Sequence, residues 1–107
     1  MRFEIVLAPQ AVQELRALPA RLRSDVRDAM ETHLRHQPTK VSKSRIKRLR
    51  GIAKPQYRLR VGETRVFYDV REQTVEVLAI VAKRQVQKWL AAKGTPEQDS
   101  GTGEGEG

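Results

Sequence analysis

Residues 57–68 read Tyr-Arg-Leu-Arg-Val-Gly-Glu-Thr-Arg-Val-Phe-Tyr, and no other stretch constrains the fold as tightly. Apolar and cationic side chains alternate up to Val61, the chain reverses at Gly62-Glu63, and a similar run follows. Period-two alternation is a strand signature, and a glycine between two such runs marks a hairpin. A two-residue loop (Gly62-Glu63) and a four-residue loop (Val61 to Thr64) give the same register. Either sets Arg60 opposite Arg65, Leu59 opposite Val66, Arg58 opposite Phe67 and Tyr57 opposite Tyr68. Successive strand side chains point to opposite sides. Tyr57, Leu59, Val61, Val66, Tyr68 and Val70 therefore share one face, and Arg58, Arg60, Arg65 and Phe67 the other.

A third strand, 74–83, follows a reversal at Glu72-Gln73. Val75 to Ala82 is almost continuously apolar, which predicts a central strand covered on both faces. The second hairpin sets Asp69 opposite Glu76 and Phe67 opposite Leu78, and Arg84, two positions past Ala82, falls on the arginine face. Upstream, Phe3, Ile5 and Leu7 alternate as a short strand. Pro9 suits the first turn of a helix, with Val12, Leu15 and Leu18 at helical spacing before Pro19. A second helix is expected from Ala20 to Gln37, with Leu22, Val26, Met30 and Leu34 as its apolar stripe. From Thr39 to Gly51 a loop and a short edge strand are expected, and Val86, Trp89 and Leu90 suggest a short final helix. The expected class is α+β: an N-terminal strand, a helical hairpin, an antiparallel meander and a short C-terminal helix.

Charge narrows the choice of partner. All 21 Lys and Arg lie in residues 1–93, with nine of the 13 acids. Residues 94–107 hold four acids and no base, so 1–93 reads as the folded domain and 94–107 as an acidic, Gly-rich, disordered tail. A body this basic repels itself unless a polyanion offsets it, which puts nucleic acid first among partners. Residues 40–54 alone carry Lys40, Lys43, Arg45, Lys47, Arg48, Arg50 and Lys54 and no acid. Like charges directly opposite on antiparallel strands destabilise by up to about 1 kcal/mol per pair. The Arg60–Arg65 pair is therefore not a stability device, and Arg60→Ala or Arg65→Ala is expected to leave the fold as stable or slightly more so. Guanidiniums converging on one face suit a phosphodiester backbone.

Other residue types carry less. The absence of cysteine excludes disulfides, thiolate zinc sites and cysteine nucleophiles. His33 and His36, three apart on the second helix, read as surface decoration rather than a metal site. Asp25 and Asp28 read as helix-surface charges, and Ser24, Ser42, Ser44 and Ser100 sit in no triad-like setting. Trp89 reads as an anchor for its helix ahead of a base-stacking group. No apolar run approaches the roughly 20 residues that span a bilayer. The opening Met1 to Leu7 is too short and too broken by Glu4 for a signal peptide, so the expected location is the cytoplasm.

Four motifs then stand in order: Lys47-Arg48-Leu49-Arg50-Gly51, Tyr57-Arg58-Leu59-Arg60-Val61, Thr64-Arg65-Val66-Phe67-Tyr68, and Val77-Leu78-Ala79-Ile80-Val81-Ala82-Lys83-Arg84. Together they resemble the RelE toxins of type II toxin–antitoxin modules, in the RelE/ParE superfamily, across residues 3–90. The resemblance implies helices packed on an antiparallel sheet. It implies an endoribonuclease, free of metal and cofactor, that enters the ribosomal A site and cuts mRNA there. The 2′-hydroxyl attacks the neighbouring phosphate, leaving a 2′,3′-cyclic phosphate and a 5′-hydroxyl. The implied partners are a cognate antitoxin (RelB-like or other), mRNA and the ribosome, with no membrane. Carried over, Arg58 and Arg60 grip the backbone and aid proton transfer, Arg65 neutralises the scissile phosphate, and Arg84 stabilises charge at the leaving side. Lys43, Arg45, Lys47, Arg48, Arg50, Lys54 and Lys83 are the expected RNA- or ribosome-binding residues. Leu90 stands where the best-known members carry a functional tyrosine, and leucine cannot take a proton. Two alternatives stay open: a ParE-like toxin that inhibits DNA gyrase without nuclease activity, and a protein that binds RNA without cutting it.

Overall fold

The computed structural model describes residues 2–97. Strand β1 (Glu4–Leu7) leads into α1 (Pro9–Ala17), and Pro19 separates α1 from α2 (Ala20–Leu34). The Arg23 guanidinium donates to the Leu18 carbonyl at 2.9 Å, just past the end of α1. On α2 the buried residues are Val26, Met30 and Leu34, three of the four in the stripe read from the sequence; Leu22, the fourth, is half-buried against the core. This helix ends three residues before the expected Gln37. The position before Pro38 is pushed out of the helical region, and the Arg35 carbonyl accepts instead from the Phe3 N–H at 2.7 Å.

Five strands form the main sheet in the order β1-β6-β5-β4-β2, with β2 Ile46–Arg48, β4 Tyr57–Val61, β5 Thr64–Arg71 and β6 Thr74–Ala82. The meander is antiparallel as expected, but β1 pairs with β6 in parallel, so the sheet is mixed. The helical hairpin carries the chain from one edge of the sheet to the other before the meander brings it back. Past β2, Gly51 takes a positive φ of 73° and the chain leaves the sheet. Strand β3 (Ile52–Lys54) then pairs with β7 (Thr95–Pro96), beyond α3 (Val86–Lys93). The edge strand expected to end at Gly51 ends at Arg48, and past Gly51 β3 adds a further strand in a second sheet that the expectations from sequence did not include. Residues 94–97, expected to open the disordered tail, continue the fold. The remainder of that expectation, residues 98–107, lies outside the described residues.

The two helices cover one face of the sheet, where Leu59, Val66, Tyr68, Val75 and Val77 are fully buried against Val26 and Leu34. Tyr68 stacks on Tyr57 with ring centroids 5.5 Å apart and donates its hydroxyl to the Pro38 carbonyl at 2.6 Å. Burial, then the neighbouring Tyr57, push the Tyr68 phenol far above its ordinary pKa.

Two expectations about β6 need correction. The strand buried on both sides is β5, in which Thr64 to Tyr68 are all buried; β6 exposes Glu76 to solvent. The second hairpin does turn at Glu72-Gln73 (Glu72 φ 54°) and sets Asp69 opposite Glu76. Beyond it, the register shifts between Tyr68 and Phe67, so Phe67 faces Ala79 rather than Leu78. Leu78 is the extra residue of a β-bulge. Past the bulge, Ile80 is back on the helix-covered face. Its N–H, beyond the end of β1, donates to the Glu14 carboxylate of α1 at 2.7 Å.

A candidate phosphate-binding groove

On the opposite face of β4 and β5 the register is the one that parity demands: Arg60 faces Arg65 and Arg58 faces Phe67. The edge strand adds Lys47 directly opposite Arg58. Two like-charge pairs therefore sit side by side, each one costing stability. They form the wall of an open groove of about 540 Å³, lined by Lys43, Ser44, Lys47, Arg58, Arg60, Arg65, Lys83, Val86 and Gln87. Six of these nine are cations and none is an acid.

The closed end of this face is apolar. Trp89 of α3 stacks on Phe67 with centroids 4.9 Å apart and planes 10° from parallel, and Phe67 is fully buried. Trp89 is thus the anchor of α3, whose Val86 and Gln87 complete the groove wall. Nothing in the alternating pattern of β4 and β5 signals that a helix returns to the charged side.

The three strand arginines occupy different environments. Arg65 is only 9% exposed and donates through Nη1 to the carbonyls of Gly62 (2.8 Å) and Thr64 (3.1 Å). It is clamped to its own hairpin, so Arg65→Ala would remove these two hydrogen bonds as well as the repulsion, which argues against the expectation that the fold stays as stable or becomes slightly more so. Arg60 is exposed at the rim. Arg58 is half-buried, and its buried Nη1 finds no hydrogen-bond acceptor among the described residues. Burial first, then the charges of Arg65 and Arg60, push its pKa below the usual guanidinium value. A buried donor without an acceptor is uncommon in a native fold and costs about 1–3 kcal/mol, more when charged.

Of the residues expected to bind RNA, Lys43, Lys47 and Lys83 line the groove, and Arg45 lines cavities beside it. Arg48 instead lies over the Tyr57 ring at 5.2 Å, and Lys54 pairs with Asp69 (3.2 Å) and Glu76 (3.9 Å). Arg50 is exposed and lines no part of the groove. Arg84, expected on the arginine face, does not line it either: β6 ends at Ala82, and Arg84 falls in a 3-10 turn (Lys83–Gln85) where strand parity no longer applies. Leu90 is half-buried on α3 and absent from the lining. Among the described residues, no cluster of three or more His, Cys, Asp or Glu is placed to hold a metal, and no helix is long and apolar enough to cross a membrane.

The model of the ParE toxin of type II toxin–antitoxin systems, parDE, matches residues 5–87. The chain belongs to this toxin family. Its fold is that of RelE-type toxins. The archaeal RelE–RelB complex from Pyrococcus horikoshii OT3 superposes with a TM-score of 0.64 at 23% identity, over 78% of this chain and 97% of that one. A double arginine-to-alanine mutant of Escherichia coli RelE in the free state gives 0.64 at 19% identity, over 85% and 93%. The Mycobacterium tuberculosis RelBE2 toxin–antitoxin complex gives 0.60 at 23%, over 77% and 99%. Identities this low speak for the fold alone. No curated protein is significantly similar in sequence. The toxin's groove, described above, lies on the sheet face away from α1 and α2.

Proposed function

We propose that this toxin is a ribosome-dependent endoribonuclease that cuts mRNA in the A site, with the arginine groove as its active site. The observation that carries the proposal is Arg58. Among the described residues its buried Nη1 has no acceptor, the charges of Arg65 and Arg60 bear on it, and a phosphodiester drawn into the groove offsets this uncompensated charge. Six cations and no acid also repel a divalent metal, so the charge that stabilises the reacting phosphate comes from guanidinium groups. Attack of the 2′-oxygen forms the new bond to phosphorus and the bond to the 5′-oxygen breaks, leaving a 2′,3′-cyclic phosphate. Arg58 and Arg65 neutralise the phosphorane as its charge develops, and the pinned geometry of Arg65 means little reorganisation at that moment. The leaving 5′-oxygen takes its proton from the ammonium of Lys47 or Lys83. Among the described residues no histidine, carboxylate or phenol lines the groove, and the proton of the 2′-hydroxyl passes to solvent. The site's rate then rests on electrostatic stabilisation more than on base catalysis. Arg84, outside the groove, keeps a supporting role towards the leaving strand.

Action on ribosomes places the toxin in the cytoplasm, and its partner is a RelB-like antitoxin, as in the Pyrococcus horikoshii complex. Co-expressing that antitoxin should restore growth that the toxin alone arrests. The decisive assay adds the toxin to ribosomes programmed with mRNA and maps the cut ends. Cuts in the A-site codon that end in a cyclic phosphate are expected. The match to the ParE model favours a second reading, a gyrase inhibitor without nuclease activity. Intact mRNA together with arrested gyrase supercoiling would establish that reading and overturn the first.

A further inference from the structure

The groove does not stop at Arg60. A smaller hollow of about 210 Å³, lined by Ser44, Arg45, Arg60 and Gly62, adjoins it. Past Ser44 and Arg45 a third cavity of about 410 Å³ opens between the C-terminal end of α2 and the 40–46 loop. The three concavities share lining residues: Ser44 belongs to all of them, Arg60 to the first two and Arg45 to the last two. They adjoin one another in series over the edge of the sheet, with Ser44, Arg45 and Arg60 at their junctions. The loop is held in shape by the Ser42 hydroxyl, which accepts from the N–H groups of Arg45 (3.0 Å) and Ile46 (3.2 Å).

The chemistry changes along the series. The groove offers mainly charge, six cations beside Ser44, Val86 and Gln87. The last cavity adds the hydroxyls of Thr32 and Ser42 and the half-buried imidazole of His33 to the cations Lys40 and Arg45, with no acid in its lining. Burial, then the charge of Arg45, push the His33 pKa below its ordinary value and so favour the neutral ring, which carries one donor and one acceptor. Its volume lies in the range of small-ligand pockets, roughly 300–1,000 Å³. Neutral hydrogen-bonding groups flanked by cations fit a splayed-out nucleobase and its phosphate, the form in which single-stranded RNA is read.

We propose that the cavity between α2 and the 40–46 loop is a second nucleotide subsite, taking the base and phosphate of a nucleotide that leaves the arginine groove past Arg60 and Arg45. This rests on the groove being an RNA site. It makes the toxin's footprint longer than the scissile dinucleotide and gives it a place to read a base away from the cut.

The test is binding of fluorescent 2′-O-methyl RNA, which lacks the attacking hydroxyl, as trimers and hexamers to the full toxin across a salt series. The wild type should bind the hexamer several-fold more tightly, with a salt slope steeper by about 0.7 for each added phosphate contact. Lys40→Ala, an exposed substitution, should cancel that increment and leave trimer binding alone, and His33→Gln should flatten any base preference in the hexamer. Arg60→Ala should weaken both lengths. If hexamer and trimer bind alike while Arg60→Ala weakens both, the subsite is wrong and the groove reading stands. If neither length responds to Arg60→Ala, the groove reading fails and takes the subsite with it. If Lys40→Ala spares hexamer binding and weakens antitoxin binding instead, the cavity is a protein contact and the proposal is overturned.

Discussion

The two faces of β4 and β5 are made by the same two strands in the same register, yet they behave oppositely. On one, Leu59, Val66 and Tyr68 are fully buried against the helices. On the other, Phe67 is fully buried and Arg65 nearly so, while Arg58 is half-buried. Burial alone therefore does not tell the faces apart. The difference lies in satisfaction: hydrocarbon meets hydrocarbon on the first face, whereas the second leaves Arg58 Nη1 without an acceptor and sets cation against cation. The first face holds the fold together and the second draws on that stability, as expected where a surface is built for a partner the chain does not contain.

Truncating the helix-covered face should have the largest effect. Leu59→Ala removes a fully buried side chain at the centre of the core and should cost about 2–5 kcal/mol of stability. Chemical denaturation measures this loss. If the faces are separable, the fraction still folded cuts mRNA at the wild-type rate. A slower folded fraction would mean that the core also positions the groove.

Arg58→Ala should reverse that pattern. Removing a guanidinium from the reacting phosphate should slow single-turnover cleavage on programmed ribosomes by about a hundred- to a thousand-fold, or about 2.7–4 kcal/mol. Stability should hold or rise, because an unsatisfied buried donor goes with it. Cleavage at the wild-type rate would remove Arg58 from the site.

Arg65 crosses the boundary between the faces. Its charge belongs to the groove and its Nη1 to the hairpin, so Arg65→Ala should lower both cleavage and stability. The stability loss should be about 1–3 kcal/mol, the cost of leaving buried carbonyls such as that of Thr64 without their donor. A thermal melt unchanged from wild type would show the clamp to be idle.

How far the sequence foretold these faces follows from what fixes register. A reversal at Gly62-Glu63 leaves no freedom, so the pairing of Arg60 with Arg65 could be read by counting. The helices were legible through their bracketing prolines and the Val26–Met30–Leu34 stripe. The bulge at Leu78 was not, because a continuous apolar run looks the same with one residue more. Without the bulge there was no way to see that Ala79 sits beside Phe67; Arg84 was misplaced for another reason, strand parity carried past the end of β6 into a 3-10 turn. The pairing of β3 with β7 joins residues more than 40 apart through two or three residues each, too short for any pattern to mark. Arg65 was legible as a charge but not as a clamp, since its acceptors are backbone carbonyls, which leave no trace in residue types. Arg48 and Lys54 counted as bases in the sequence, but Tyr57, Asp69 and Glu76 engage them elsewhere.

The smallest effect, and the sharpest comparison, is the stability of Arg60→Ala. Arg60 faces the same residue, Arg65, across the same pair of strands, but it is exposed and no hydrogen bond anchors its side chain to the hairpin. Its removal takes away repulsion and nothing else. Stability should therefore rise, by at most about 1 kcal/mol, where Arg65→Ala makes it fall. The gain should be largest at low ionic strength and shrink as salt is raised through roughly 0.1 M, where charges about 10 Å apart are already screened. In the Arg65→Ala background the same substitution should do little, since the repelling partner is gone, and a double-mutant cycle reads that coupling directly. A gain that ignores both salt and the partner would mean that Arg60 is strained by packing rather than by charge. The cost of the arginine face would then lie in the shape of its side chains, not in the positive potential that the groove offers an RNA backbone.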